Sequence, residues 1–133
     1  MRGVTLVFAL TLAVSVPGLA RASHKEFDFK NPSGNARCVA VVGSTDGGFV
    51  ACAVLSTWTA TLTPGVWSVS VQGPVGPPSH PDNWISASVP VLRYGTTRHF
   101  GVFRCTSLTI GLLCWSRVSS HGFLLSRQHQ LVF

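Results

Sequence analysis

The chain has 133 residues, of which 46% are hydrophobic and 11% charged, with a formal net charge of +6 and four cysteines. This length fits one domain that can bury a modest core. With only four acidic residues in the chain, the supply is too thin for glycosidase-type chemistry, which needs two carboxylates on either side of a bond.

The first 22 residues have the layout of a secretory signal peptide. An arginine precedes an apolar run from Val4 to Val16, and Ala20 and Ala22 occupy the small-residue positions before the cut. A run of about 13 residues is too short for a membrane span, which needs about 20. We therefore predict cleavage after Ala22, no membrane span in the exported chain, and a location outside the cell or at its envelope.

The next stretches predict an edge element followed by a hairpin. Residues 23–30 carry two phenylalanines at period two, which is typical of an edge strand or an ordered arm. Residues 31–35 predict a turn, because Pro fixes one dihedral and Gly and Asn tolerate left-handed geometry. The β-branched runs at 37–42 and 49–55 flank an Asp-Gly turn signal and predict the first hairpin.

Four cysteines in an exported chain predict two disulfides, because an oxidising compartment pairs thiols. Three pairings are formally possible. A five-residue Gly-Ser-Thr-Asp-Gly loop would place Cys38 opposite Cys52, and a two-residue Thr-Ile turn would place Cys105 opposite Cys114. We therefore expect these local pairs. Neither pair has the short spacing of a zinc site, so we expect no metal and no other cofactor.

The middle of the chain predicts one more strand and then a long loop. Residues 58–63 are β-prone, and residues 67–72 alternate apolar with polar, as in a strand with one wet face. Four prolines in residues 73–83 forbid helix and central strand alike. We expect a surface loop there, since the flanks are small for two independent cores.

The second half predicts further short strands. Residues 85–89 alternate with serine, residues 91–94 are apolar, and a turn at 95–97 leads into the rest. The expected strands that follow are 99–105, 111–118, 122–125 and 130–133. No apolar spacing typical of a helix recurs over three turns. We predict a single all-β domain over residues 23–133, a small antiparallel barrel or sandwich of about seven to nine strands stapled by disulfides.

Four stretches of the exported chain form an ordered series of motifs. They are Phe29-Lys30-Asn31-Pro32-Ser33-Gly34-Asn35-Ala36-Arg37-Cys38; Leu92-Arg93-Tyr94-Gly95; Cys105-Thr106-Ser107 with Gly111 and Cys114; and His121-Gly122-Phe123-Leu124-Leu125-Ser126-Arg127 with Leu131-Val132-Phe133. In order and spacing they resemble a family of small secreted actinobacterial proteins known only as a domain of unknown function. The resemblance implies export and a disulfide-stapled β fold, and it implies no activity.

This chain departs from that pattern in its middle and at single positions. Relatives usually carry a further cysteine pair in the middle, whereas none occurs here between Trp58 and Pro90. Asn31, Ala36 and Ser120 stand where serine, isoleucine and glycine are usual. The middle of this chain is therefore less constrained than in the family pattern.

Several side chains are candidates for binding. His121 can act as an exposed binding or acid-base group, or it can hydrogen-bond main-chain groups where a strand begins. Arg127 can pair with a buried carboxylate or chain terminus, or it can face an anionic ligand. Among the tryptophans, the pattern around Trp67 favours core packing, and Trp84 is the best candidate for an exposed aromatic platform.

Charge is distributed unevenly along the chain. After Asp82 it contains five arginines, among them Arg98 and Arg117, and no acidic residue. This excess either keeps the domain soluble or forms a face that binds an anionic envelope polymer. No complete catalytic motif is present, so we expect no enzymatic activity.

We therefore predict a secreted, monomeric, non-catalytic domain with a binding or structural role at the cell envelope. The partner would be an anionic polymer or another protein, and we expect no specific nucleic acid. A small hydrolase acting on envelope polymers and an inhibitor that uses the proline-rich loop are the alternatives.

Overall fold

The computed structural model describes residues 24–57, 64–71, 73, 75 and 86–133. Within these residues nine strands form two antiparallel sheets, and no helix occurs. The strands are β1 (Lys25–Lys30), β2 (Ala36–Val42), β3 (Phe49–Val54), β4 (Gly65–Ser70), β5 (Thr97–Phe100), β6 (Phe103–Leu108), β7 (Gly111–Ser116), β8 (Gly122–Leu125) and β9 (Gln130–Val132).

Each sheet follows the order of the sequence. The first sheet is β1-β2-β3-β4 and the second is β5-β6-β7-β8-β9. Their inward-facing side chains form one core that joins Phe29, Val50 and Trp67 of the first sheet with Phe103 and Phe123 of the second. The all-β prediction is confirmed, and of the two architectures it allowed, the described residues form the sandwich.

Both hairpin disulfides are confirmed. Cys38 lies directly opposite Cys52 in the β2–β3 ladder, and Cys105 lies opposite Cys114 in the β6–β7 ladder. Each pair is bonded, with 4.1 Å between the Cα atoms, and all four side chains are fully buried. The pairing follows from alternation, because directly opposed residues of a hairpin point to the same face.

The expected strand over 99–105 is interrupted in the structure. The pattern predicted a continuous strand over 99–105, but the chain turns at Gly101 and Val102, between β5 and β6. Gly101 has a φ of 59°, which favours glycine, and Nη1 of Arg104 donates to the Gly101 carbonyl at 2.8 Å. The turn places Phe100 opposite Phe103 and makes β5 the edge of the second sheet.

Two other expected strands are wrong: residues 86–89 form a turn, and the stretch 91–94 contributes only an isolated bridge at Val91. The remaining strand predictions within the described residues agree with the structure to within a few residues. The element near Phe27 is an edge strand, and its outer side is bridged by Val91 running parallel to Lys30. Trp67 is buried at 4% exposure, as the alternating pattern indicated. The predicted signal peptide, the β-prone stretch 58–63, Trp84 and most of the proline-rich loop lie outside the described residues.

Candidate functional site

One end of the sandwich, which we call the pocket end, carries a pocket of about 200 Å³. Four separate turns meet there: the β1–β2 turn, the turn before β5, the β6–β7 turn and the β8–β9 turn. The lining residues are Asn31, Ser33, Asn35, Tyr94, Leu108, Thr109, Gly111, Ser126, Arg127 and Gln128. All four motif stretches of the sequence therefore reach this end, and each contributes side chains to the pocket or lies directly beside it.

The β1–β2 turn forms a fixed wall. Asn31 is buried and its Oδ1 accepts hydrogen bonds from the Ala36 N–H at 3.1 Å and from the Ser33 hydroxyl at 3.2 Å. Asn35 is also buried, and its side chain bonds Ser56 through three contacts of 2.9 to 3.1 Å. These two amides use their polar groups to hold the turn and the chain that follows β3.

The β6–β7 turn lies close to β8 because position 111 is glycine. A Cβ at Gly111 would lie 2.8 Å from the Leu125 carbonyl oxygen, and its φ of 153° is unusual for other residues. The missing side chain lets the two-residue turn approach the end of β8. Thr109, in that turn, is exposed and lines the pocket.

The β8–β9 turn presents Arg127 to the pocket. The Ser126 hydroxyl accepts hydrogen bonds from the N–H groups of Gln128 at 3.1 Å and His129 at 2.9 Å. The Ser126 N–H in turn donates to the His129 carbonyl at 2.7 Å. These contacts, two of them to the Ser126 hydroxyl and one between main-chain groups, fix the turn without using the Arg127 guanidinium.

Arg127 is the only charged residue of the described pocket lining. Its Nε is buried without a hydrogen-bond partner, and its side chain forms no salt bridge with any described residue. A buried donor left unpaired costs about 1–3 kcal/mol, and more when the group is charged. The other described buried side-chain atom without a partner is the hydroxyl of Ser107, which directly precedes the lining residue Leu108.

The structure separates Arg98, Arg104 and Arg117 from this site, whereas Arg93 directly precedes the lining residue Tyr94. Arg98 lies over the rings of Phe27 and Phe100, with its guanidinium carbon 5.6 and 5.0 Å from the ring centroids. Arg98 is paired with Cys105, which faces the core. Arg104 directly precedes Cys105 in the chain and therefore lies on the other face of the second sheet from Arg98. Arg117 is exposed in the turn after β7. A face shared by three arginines therefore cannot include both Arg98 and Arg104. That any other three of the arginines after Asp82 share a face stays a prediction.

His121 and Arg127 do not form one site. They lie at opposite ends of β8, whose four residues span about 13 Å at about 3.3 Å per residue. Nδ1 of His121 is 3.1 Å from the main-chain oxygen of Phe133, so its ring contacts a main-chain group where β8 begins. This contact fits the structural interpretation of His121 that its sequence position allowed.

The opposite end of the sandwich, which we call the far end, consists of the β2–β3 loop, the β5–β6 turn and the β7–β8 turn. There Asp46 Oδ1 accepts hydrogen bonds from the Ser44 hydroxyl and from the Gly48 N–H. Both bonds lower the pKa of Asp46 from its ordinary value of 3.8, and the bond from Ser44 has the larger effect. The buried Ser116 hydroxyl accepts from the N–H groups of Val118 and Ser119.

The pocket lining contains no Asp, Glu or His. Among the described residues, no Asp or Glu forms an ion pair with His121. No group of three or more His, Cys, Asp or Glu residues is placed to hold a metal ion within the described part of the chain. The described residues also contain no helix long and apolar enough to cross a membrane.

No family model matches the sequence, and no characterised protein or solved structure is significantly similar to it.

Sequence reasoning identified Arg127 but missed most of the pocket around it. Asn31 and Asn35 were interpreted only as turn formers, and Tyr94, Thr109 and Gln128 carried no signal of their own. The available signal was the set of four motif stretches, which lie far apart in the sequence. Only the topology of the two sheets shows that they meet at one end.

Proposed function

We propose that this protein is an exported, non-catalytic binding domain that holds an anionic group of a cell-envelope polymer in the pocket at Arg127. The observation that carries the proposal is the buried, unpaired Nε of a guanidinium in a pocket without any acidic residue. Two cross-strand disulfides support an oxidising compartment such as the cell exterior.

The chemistry of the guanidinium selects the ligand class. Arginine stays protonated at any physiological pH and offers a planar fork of donors that matches carboxylate and phosphate oxygens. Hydrogen bonds to charged groups contribute about 1.5–3 kcal/mol each, about twice a neutral bond. An anion in the pocket would supply the partner that the described residues do not give to Arg127.

The rest of the charge distribution favours capture of a polymer. The chain after Asp82 is basic throughout, so its arginines would attract an extended anion before the pocket engages one unit of it. Attraction between exposed charges is screened over about 10 Å at 0.1 M salt. Long-range capture should therefore be sensitive to salt, whereas the contact at Arg127 is partly shielded from it.

The test is retention of the protein on isolated cell envelope and on an immobilised anionic polysaccharide, measured across a salt series. We expect Arg127→Gln to reduce retention about tenfold or more, since one charge-assisted contact of about 1.5–3 kcal/mol is lost. Arg127→Lys should retain only part of the binding, because the ammonium group lacks the planar fork.

Arg117→Gln is the matched control. It removes the same charge from an exposed position at the far end. If Arg117→Gln and Arg127→Gln weaken retention equally, binding depends on net charge and the pocket has no special role. Absence of retention at low salt contradicts the proposal altogether.

A further inference from the structure

The size of the pocket limits its ligand to one small unit. Pockets for drug-sized ligands measure about 300–1,000 Å³, whereas a cavity of about 150 Å³ is enough for benzene. The pocket here is about 200 Å³. It therefore has room for a single six-membered ring with a substituent, and the remainder of a polymer would have to lie outside.

Tyr94 supplies an aromatic surface beside the charged group. It lines the pocket and is 51% exposed, and its side chain makes no hydrogen bond or ring contact with any described residue. Its turn is held in place by main-chain bonds from Gly95 to Ser107 at 2.7 Å and from Thr96 to Arg93 at 3.1 Å. An exposed aromatic ring on a fixed turn can stack on the apolar face of a flat ligand.

Two further lining groups are free to bond hydroxyl groups. The Thr109 hydroxyl has no partner among the described residues, and the Gln128 amide nitrogen is likewise unused. Only the Gln128 Oε1 is engaged, by the Ser126 hydroxyl at 3.5 Å. The pocket thus combines one cation, one aromatic face and neutral donors and acceptors.

We propose that the unit bound in this pocket is a single sugar ring that carries an anionic substituent, either a carboxylate or a phosphate. The anionic group bonds the guanidinium of Arg127, the ring lies against Tyr94, and its hydroxyls bond Thr109 and Gln128. This inference rests on the proposed function and specifies the ligand class for the same site.

The test is titration of the exported protein at low salt with glucuronate, glucose 6-phosphate, glucose, acetate and inorganic phosphate, followed by amide chemical shifts in NMR spectra. We expect each acidic sugar to bind about tenfold more tightly than its matching simple anion, since stacking on an aromatic side chain adds that much. Glucose, which lacks the charge, should bind at least about tenfold more weakly than either acidic sugar. The tighter of the two acidic sugars identifies the substituent as carboxylate or phosphate.

Variants at Tyr94 separate this inference from the function on which it rests. Tyr94→Ala should weaken both acidic sugars about tenfold and leave acetate and phosphate unchanged, while Tyr94→Phe should bind like the wild type. If simple anions bind through Arg127 as tightly as the acidic sugars, or if Tyr94→Ala changes nothing, the sugar inference is overturned and the anion site stands. If no anion binds, or Arg127→Gln binds all of them normally, the proposed function fails as well.

Discussion

The two ends of the sandwich use similar polar residues in different ways. At the far end, the side chains of Asp46, Ser116 and His121 each contact groups of the protein itself. At the pocket end, Asn31 and Asn35 do the same, but Arg127 faces a cavity without a partner. An abundance of polar turn residues therefore indicates no site by itself. The indication comes from Arg127, the charged one of the two described side chains with a buried polar atom that the fold leaves unpaired.

Each end of the sandwich also contains the turn of one hairpin that is closed by a disulfide. Removal of a disulfide is expected to have the largest effect on stability. Replacing either pair by alanine should lower the free energy of unfolding by about 3 kcal/mol, since the bridges span 14 and 9 residues and the entropy gain varies slowly with loop length. Urea denaturation of the two double variants measures this.

The same two variants should differ in binding. Loss of Cys105–Cys114 loosens the hairpin whose turn lines the pocket and should weaken anion binding, whereas Cys38–Cys52 closes a hairpin whose loop lies at the far end. If both variants stay folded and bind anions equally, the pocket-end disulfide has no special role in binding.

The next largest effect is expected in the β1–β2 turn, which forms the fixed wall of the pocket. Asn35→Ala removes three side-chain hydrogen bonds to Ser56 and should cost about 2 kcal/mol of unfolding free energy. Thr109→Ala, in an exposed lining residue, is the control and should stay within about 0.5 kcal/mol of the wild type. An unchanged midpoint of thermal unfolding for Asn35→Ala would show that the bonds between the Asn35 side chain and Ser56 do not stabilise the fold.

A smaller effect is expected at the far end. Ser116→Ala deletes the hydroxyl that accepts two main-chain N–H groups, at 3.2 and 3.3 Å, and should cost about 1 kcal/mol. Because this turn is remote from Arg127, anion binding should be unaltered. A loss of affinity comparable to that of Arg127→Gln would mean that the far end contributes to the site.

The smallest effect concerns the charge of Asp46. Hydrogen bonds from Ser44 and Gly48 favour the carboxylate, so its pKa in the folded protein lies below 3.8. The stabilisation that the charged Asp46 carboxylate gives to the folded protein is therefore complete above its ordinary pKa of 3.8, and it is lost as the pH falls through the lower folded pKa. An NMR titration should find the Asp46 pKa below 3.8, and Ser44→Ala should raise it. A pKa that does not respond to Ser44→Ala would refute the assigned cause.

The features that could be predicted from the sequence are those set by neighbouring residues. The β2–β3 and β6–β7 hairpins, and with them both disulfides, follow from alternation around recognisable turns. The β5–β6 turn was missed because Gly101 is followed by valine, which gives no turn signal. Residues brought together from four distant turns, such as Asn31, Tyr94 and Gln128, could not be assigned to one site before the sheet order was known.

Binding of an anion at the pocket end through Arg127 can be measured directly. The most direct measurement is a ¹⁵N–¹H NMR titration of the exported protein with glucuronate at low salt, in the wild type and in Arg127→Gln. We predict that amide shifts change in the pocket-end turns, at residues 31–35, 109–111 and 126–128, and that the far-end turns do not respond. These changes should disappear in Arg127→Gln. Shifts centred on the far end, or identical shifts in the variant, would contradict anion binding through Arg127.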